Sequence, residues 1–323
     1  MKKKIKVAVL GCGKISKHHF EALKNSDAFL ITHIAARKNS KRCKSVANKY
    51  KIPNIVKDPK DFFHITKNIV DAYVILTSYD VTYRYLNEAI STKKKIFVEK
   101  PVSINLKDLF KIKNNKNVFV GFNRRYYSSI NFLKKKIVSK KNLSVIAEVP
   151  EKTLFGKSNK PNLKRFYSNT LHIIDLILNV FGEIRLKHVE HIKNKKNVVI
   201  GIYVIMKTNN ASINFIANWN SPSNWSIKVD DLKGGRVLIK PIEELKLLEG
   251  TKITETKDKI KQYLPNMKFK LSPPWYEKKF KPGFIKQYED FKNFCLNKKN
   301  FRPTLLETYK AQHILQKILK LKW

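Results

Sequence analysis

The sequence predicts an α/β N-terminal domain built on a doubly wound parallel sheet, followed by an α+β domain with an open-faced, largely antiparallel sheet. Three observations carry this expectation. Through residue 122, short apolar runs alternate with helical segments; a glycine pair, Gly11 and Gly13, follows the first apolar run; and beyond residue 143 long strands separated by short polar breaks take over. Strands alternating with crossover helices imply a parallel sheet. Successive strands of alternating polarity imply an antiparallel sheet with one covered face. The expected division is 1–122 for dinucleotide binding and 123–323 for substrate binding and oligomerisation, with the last helices packing back on the first domain.

The elements follow in order. IKVAVLG (5–11) reads as the first strand and the segment from Ser16 to about Asn25 as a helix. FLITHIAA (29–36) is the second strand, followed by a polar helix over Ser40–Tyr50. A short strand near 54–56 precedes a helix starting near Asp58 or Asp61. AYVILT (72–77) and KIFVEK (95–100) bracket a helix over Val81–Ser91, and VFVGF (118–122) closes the series. In the second half, strands are expected at 145–149, 184–192, 198–206, 211–219, 225–232 and 236–248. One apolar helix, Ser168–Phe181, is stopped by Gly182. Two more helices, Phe284–Cys295 and Leu305–Leu321, finish the chain, and no internal repeat is visible.

Composition narrows the function. With 323 residues, 42% of them hydrophobic, the chain can bury a full core. No run approaches the 18 or so apolar residues of a membrane span, and Lys6 interrupts the first apolar stretch too early for a signal peptide. A soluble, cytoplasmic protein is expected. Three cysteines, Cys12, Cys43 and Cys295, have no zinc spacing and fit a reducing compartment. His33, His64, His188, His191 and His313 have no coherent ligand spacing either, so no metal is expected. The net charge of +42 would attract polyanions. Lysine is spread from Lys2 to Lys322, however, with no nucleic-acid recognition motif, which reads as chain-wide bias.

The chemistry-bearing residues cluster in four places. In VAVLGCGKIS, Gly11 and Gly13 sit between strand and helix, where glycine lets a pyrophosphate approach backbone N–H groups at the helix start. Lys14, Ile15 and Ser16 complete the turn, with Ser16 as the small residue in place of a third glycine. After the second strand, where a carboxylate would hold the ribose hydroxyls of NAD, the chain reads Ala36-Arg37-Lys38. Arg37 and Lys38 can pair with a 2′-phosphate, so NADP is expected, with NAD as the alternative. Farther along, the strand KIFV ends on Glu99-Lys100-Pro101. Charge at the carboxyl end of a parallel strand faces the ligand crevice, and Pro101 restricts the backbone of Lys100. Finally, Ser168, His172 and Asp175 share one face of the apolar helix. His19, early on the first helix, reads as structural.

GCGKIS, VEKPVS, VFVGFNRRYY and TLHIIDLI, in this order and spacing, together resemble the Gfo/Idh/MocA oxidoreductases, the glucose–fructose oxidoreductase and inositol dehydrogenase family. The likeness runs from the N-terminal domain to the C-terminal helices. It implies nicotinamide-dependent hydride transfer to or from a secondary carbinol or ketone of a sugar or nucleotide sugar, in surface-glycan synthesis. It also implies that Lys100 lies between nicotinamide and substrate as the acid/base, with His172 as its partner. Thr77, Ser78 and Glu99 would then contact cofactor, and Asn123, Arg124, Tyr126, Ser168 and Asp175 would contact substrate. Burial near other cations would depress the pKa of Lys100. A homodimer or homotetramer is implied, with no specific nucleic-acid or membrane partner. Ser168, Ser78 and Thr82 depart from the family pattern. Ser168 cannot act unaided as a base, so Tyr126 or Tyr167 is the fallback, and a catalytically weakened dinucleotide-binding regulator is the competing expectation.

Overall fold

The computed structural model describes residues 4–151, 166–197, 199–219, 221–298 and 302–320. The chain begins as strand and helix in strict alternation: β1 (Ile5–Leu10), α1 (Ser16–Asn25), β2 (Phe29–Ala35), α2 (Lys41–Tyr50), β3 (Asn54–Val56) and α3 (Phe62–Thr66). It continues with β4 (Ala72–Ile75), α4 (Tyr79–Ser91), β5 (Lys95–Val98), α5 (Leu106–Ile112) and β6 (Val118–Val120), closing on a 3₁₀ turn at Asn123–Tyr126. The six strands pair in the order β3-β2-β1-β4-β5-β6, every pair parallel. The order reverses between β1 and β4, and a ligand crevice opens beyond the strand ends at such a point.

Both faces of this sheet are covered, and the inner stretches of its central strands are apolar. Val7, Ala8 and Val9 of β1, and Ala72, Tyr73, Val74 and Ile75 of β4, are fully buried. Local signals set the helix ends. Ser40 accepts the Cys43 N–H at 3.2 Å and so caps α2, and Lys51 ends it in the left-handed region at φ 53°.

The next segment runs α6 (Ser128–Ile137), β7 (Leu143–Glu151), α7 (Asn169–Phe181), β8 (Arg185–Lys193), β9 (Val199–Lys207) and β10 (Ala211–Trp219). After these come β11 (Ser226–Asp230), β12 (Gly235–Ile239), β13 (Leu245–Glu255) and β14 (Lys261–Leu271). These eight strands form a second sheet ordered β14-β13-β12-β11-β7-β10-β9-β8. Only β7 and β10 run parallel; the other neighbours are antiparallel. Helix α7 is hydrophobic almost all round and packs on β7.

The chain ends with α8 (Trp275–Lys279), α9 (Phe284–Cys295) and α10 (Leu305–Ile318). Two compact units result: the described residues of 4–126 with Tyr276–His313, and those of Tyr127–Trp275 with 314–320. Helix α9 completes the core of the first unit. Its apolar stripe, Phe284, Tyr288, Phe291 and Phe294, is buried against the parallel sheet. Phe97 of β5 stacks between Phe119 at 5.5 Å and Tyr288 at 5.1 Å, and Phe29 stacks on Phe291 at 5.9 Å. Each such ring contributes about 1.5–3 kcal/mol by burial.

Several elements differ from expectation. The run 236–248, expected as one strand, is two: β12 and β13 joined by a tight turn in which the Glu244 N–H reaches the Pro241 carbonyl at 2.9 Å. Proline cannot donate to a ladder, so the strand breaks where Pro241 sits. Helices α5 and α6 and strand β14 were not anticipated, and the last helix ends at Ile318. Among the described residues no helix is long and apolar enough to cross a membrane.

Candidate dinucleotide cleft and the end of strand β5

The crevice at the β1/β4 reversal is a cavity of about 460 Å³ within the first unit. Its floor comes from the turn after β1 and the ends of the neighbouring strands. There the Gly11 N–H bonds to the Ala35 carbonyl at 2.8 Å, and the Leu76 N–H to the Leu10 carbonyl at 2.7 Å. Gly11 has φ +116°, and a Cβ on it would lie 2.5 Å from the Leu76 carbonyl oxygen. Only glycine fits there. A Cβ on Gly13, by contrast, would meet nothing within 4 Å. That exposed glycine leaves open the approach to the start of α1.

Helix α1 presents an N-terminus suited to an anion. Its N-cap makes no side-chain hydrogen bond, and its first turn carries no acidic residue. Ser16 is buried and donates from Oγ to the Gly13 carbonyl at 2.7 Å, tying the turn to the helix. Lys14 is exposed and Ile15 half-buried, and neither lines the cavity.

The remaining walls come from the end of β2, the start of α2 and the loop after β4. Arg37 lines the cavity as expected; Lys38 is exposed and does not. Ser40 and Arg42 do, although the sequence reading passed over both. Their position on the first turn of a helix after β2 was the available signal. Thr77 and Ser78 line the opposite side with Asp80, Val81 and Tyr85. Thr82 is buried beneath them, 2.9 Å from the Thr77 Oγ1, and donates to the Ser78 carbonyl at 2.9 Å. The hydroxyl of Thr82 thus braces this loop from inside. A glycine turn, an open helix start and two arginines make a donor set suited to a dinucleotide.

Strand β5, the neighbour of β4, runs out on Glu99 and Lys100, both half-buried and neither lining the crevice, before a cis Lys100–Pro101 peptide. Glu99 has partners on both carboxylate oxygens. Its Oε2 accepts the Lys100 N–H at 3.1 Å, and its Oε1 lies 2.9 Å from His19 Nε2, at an angle short of a well-directed hydrogen bond. His19 is fully buried on α1, its Nδ1 is 2.9 Å from the Tyr288 hydroxyl, and its ring meets Phe97 and Phe284 edge-on. The residue read as structural is therefore the link between the α9 core and the carboxylate next to Lys100. Sequence reasoning missed Tyr288 altogether. Burial raises its hydroxyl well above the ordinary tyrosine value, with Glu99 adding to the effect, so it stays protonated.

Positive charge gathers at the same strand end. Lys281 lies within charge range of Glu99 and Arg124; desolvation and Arg124 hold its ammonium below the ordinary lysine value, and Glu99 opposes them. Asn123 is buried and donates from Nδ2 to the Pro282 carbonyl at 3.0 Å. Tyr126 belongs to the aromatic core, stacked on Phe119 at 6.4 Å. Burial, then the negative charge of Asp290 to which it hydrogen-bonds, raises its hydroxyl well above the ordinary value. A phenol held protonated in this way is a poor base at neutral pH.

In the second unit, Ser168 is exposed at the start of α7, and Thr170, His172 and Asp175 are buried along it. Tyr167 is buried, its hydroxyl accepting from Gln316 Nε2 at 3.3 Å, and burial raises its pKa. Among the described residues no group of three or more His, Cys, Asp or Glu could hold a metal ion.

Comparison with known proteins bears on the first unit above all. Residues 5–119 match the family model described as "Oxidoreductase family, NAD-binding Rossmann fold". The uncharacterised oxidoreductase YrbE of Bacillus subtilis is 33% identical over 131 residues, 39% of this chain and 38% of that protein. Myo-inositol 2-dehydrogenase of Thermotoga maritima is 28% identical over 138 residues, 41% of this chain and 40% of the relative. The matches thus span about two fifths of either relative. The crystal structure of the dehydrogenase MviM from Clostridium difficile shares the fold at a TM-score of 0.77 and 20% identity, over 98% of this chain and 99% of that one.

Proposed function

We infer, from the match of residues 5–119 to the Gfo/Idh/MocA oxidoreductase model, that the protein moves a hydride between a nicotinamide dinucleotide and a secondary carbinol or ketone. The substrate class proposed is a sugar, polyol or nucleotide sugar, in keeping with the inositol dehydrogenase among the relatives. The observation that carries the reading is the placement of Lys100 at the carboxyl end of β5, in the unit that also holds the glycine-turn crevice. When bound, the nicotinamide supplies hydride acceptance or donation at C4.

The chain's own residues would do the rest. Gly11, Gly13 and the start of α1 would take the pyrophosphate, and Thr77 and Ser78 would hold the nicotinamide half. Arg37, Ser40 and Arg42, at the β2–α2 junction, support NADP over NAD, because two guanidiniums and a hydroxyl can share a 2′-phosphate. Lys100 would hydrogen-bond the reacting oxygen and take the carbinol proton on oxidation, returning it on reduction. The carboxylate of Glu99, bonded to the Lys100 N–H, would fix the backbone from which that amine reaches out. His172, with Ser168 and Asp175, is proposed to contact substrate from α7, and Asn123 and Arg124 from the end of the first unit. These assignments rest on the resemblance alone.

Purified protein incubated with NADPH or NADH and a panel of keto-sugars tests the reading. Turnover is expected on at least one of them. Lys100→Met is expected to lower kcat by about 10²–10⁴, the range for loss of a general acid/base, while cofactor affinity is kept. Cofactor binding without turnover on any substrate would favour the regulatory alternative. Undiminished turnover in Lys100→Met would overturn the mechanism.

A further inference from the structure

The second unit has a cavity of its own, of about 380 Å³, where the starts of β7, β8 and β10 meet the end of β9. Pleat and register decide what faces it. Arg185 pairs with Lys207 across β8 and β9, Lys207 with Ser212 across β9 and β10, and Ser212 with Ser144 across β10 and β7. Residues paired in this way share a face of the sheet, and all four line the cavity. Their chain neighbours Val145, Met206 and Ile213 are buried on the other face. The row thus reads guanidinium, ammonium, hydroxyl, hydroxyl.

Two cations placed directly opposite each other repel and weaken the sheet. No carboxylate relieves them, since no acidic residue lines the cavity. Asp230, opposite Ser144 on β11, is held by Arg236 at 2.5 Å and 3.3 Å. Asp231, next in the chain to the cavity-lining Leu232, holds Lys140 and accepts the Gly235 N–H at 2.8 Å. The abundance of lysine does not explain the pair, because only nine of the 67 basic residues are arginines. Arg84, Arg125 and Arg236 each hold a carboxylate, and Arg302 holds a backbone carbonyl. Among the described residues Arg37, Arg42 and Arg185 hold neither, and the first two line the dinucleotide crevice. We propose that the cavity at Arg185 and Lys207 is a second ligand site, which takes the phosphate of a phosphorylated, polyhydroxylated small molecule.

The donors match that chemistry. A guanidinium fork beside an ammonium suits a phosphate monoester dianion, which turns the repulsion between the two cations into a shared attraction. Ser144 and Ser212 bring hydroxyls that both donate and accept, and Asn142, Asn209 and Asn210 bring amides. The β9–β10 turn carrying two of these amides is set before any ligand arrives. Its Thr208 Oγ1 accepts the Ala211 N–H at 3.0 Å and donates to Asn210 Oδ1 at 2.9 Å, while the Asn210 carbonyl accepts the Leu143 N–H at 2.9 Å. The volume of about 380 Å³ falls in the range of small-molecule sites, about 300–1,000 Å³, so it holds more than an inorganic ion.

The site does not depend on the proposed hydride transfer, and its test keeps the two apart. Titration calorimetry on the full-length protein at physiological salt uses glucose 6-phosphate, glucose and inorganic phosphate as probes. Glucose 6-phosphate should bind saturably, one per chain, and more tightly than either of the others. Arg185→Ala and Lys207→Ala should each weaken it at least tenfold. Ser144→Ala combined with Ser212→Ala should weaken it about fivefold and leave inorganic phosphate unchanged. Both cations are exposed, so their variants should keep the parent's Tm and NADPH affinity. Lys107→Ala, which removes the same charge from exposed α5 surface, should leave glucose 6-phosphate binding unchanged. An equal loss in Lys107→Ala would mark diffuse attraction by the net charge of +42 and overturn the site. Absence of saturable binding overturns it too, as does binding that survives Arg185→Ala but is lost in Arg37→Glu with Arg42→Glu. A protein that binds glucose 6-phosphate through Arg185 and Lys207 but neither dinucleotide upholds this site and overturns the proposed function.

Discussion

Replacing Gly11 and Gly13 separately by alanine should separate two reasons for having a glycine. At position 11 the new Cβ would lie 2.5 Å from the Leu76 carbonyl oxygen and 3.0 Å from the Thr77 nitrogen, both backbone atoms, at φ +116°. Backbone strain of that kind costs about 1–3 kcal/mol, and forcing a methyl into a packed site about 1–3 kcal/mol more. The sum, about 2–6 kcal/mol, converts at about 2–4 °C per kcal/mol for a unit of this size into a loss of about 4–24 °C in Tm. Position 13 has nothing within 4 Å of the added methyl, so Gly13→Ala should move Tm by about 2 °C at most. Its effect should appear only as weakened dinucleotide binding, at least tenfold, because the methyl occupies the approach to the α1 N-terminus. Differential scanning calorimetry and titration calorimetry on the two variants read both quantities. A Gly11→Ala protein as stable as the parent, or a Gly13→Ala protein with undiminished affinity, would refute the division of roles.

The buried link from α9 to Glu99 should be measurable: Tyr288→Phe removes one hydrogen bond and should cost about 1 kcal/mol in urea unfolding, and His19→Leu, which strips partners from both Tyr288 and Glu99, about 2–4 kcal/mol. Equal costs for the two would indicate that the Glu99 contact adds nothing. Glu307 gives a pH signature. Burial alone would raise its pKa, but Arg125, 2.9 Å away and almost fully buried, together with Thr304 outweighs it and holds the carboxyl below 4.5. A depressed carboxylate stabilises the fold above its unfolded pKa and loses that contribution as pH falls through the folded one. Acid titration of stability should therefore show a decline below about pH 4.5 that is absent in Glu307→Gln. Arg37→Glu combined with Arg42→Glu should raise KM for NADPH at least tenfold more than KM for NADH; equal changes would remove the case for a 2′-phosphate site.

The parallel sheet was legible because its central strands carry apolar runs that alternate with polar helical segments, the first run ending in the glycine turn of VAVLGCG. The β12–β13 turn was hidden because KPIEE contains no glycine or asparagine, and apolar runs flank it on both sides. Strand β14 was missed for a different reason: most of KQYLPNMKFKL is exposed, so no buried period stands out. In the crevice, residues contiguous with the glycine turn and with β2 could be read from spacing. His19 could not, since its partners Tyr288 and Glu99 are far away in the chain and only the packing of α9 brings them together. Arg42 lay one helical turn beyond the place where charge was sought.

The stacking of Tyr288 and Phe291 on Phe97 and Phe29 has a consequence for biosynthesis. The sheet is fully translated by residue 120, but the helix that shields one of its faces emerges only some 170 residues later. At about 5–20 residues per second, those aromatic rings wait roughly 10–30 s on the ribosome without their cover. A nascent chain in that interval is a natural client for a holding chaperone, and expression of residues 1–126 alone should yield insoluble protein.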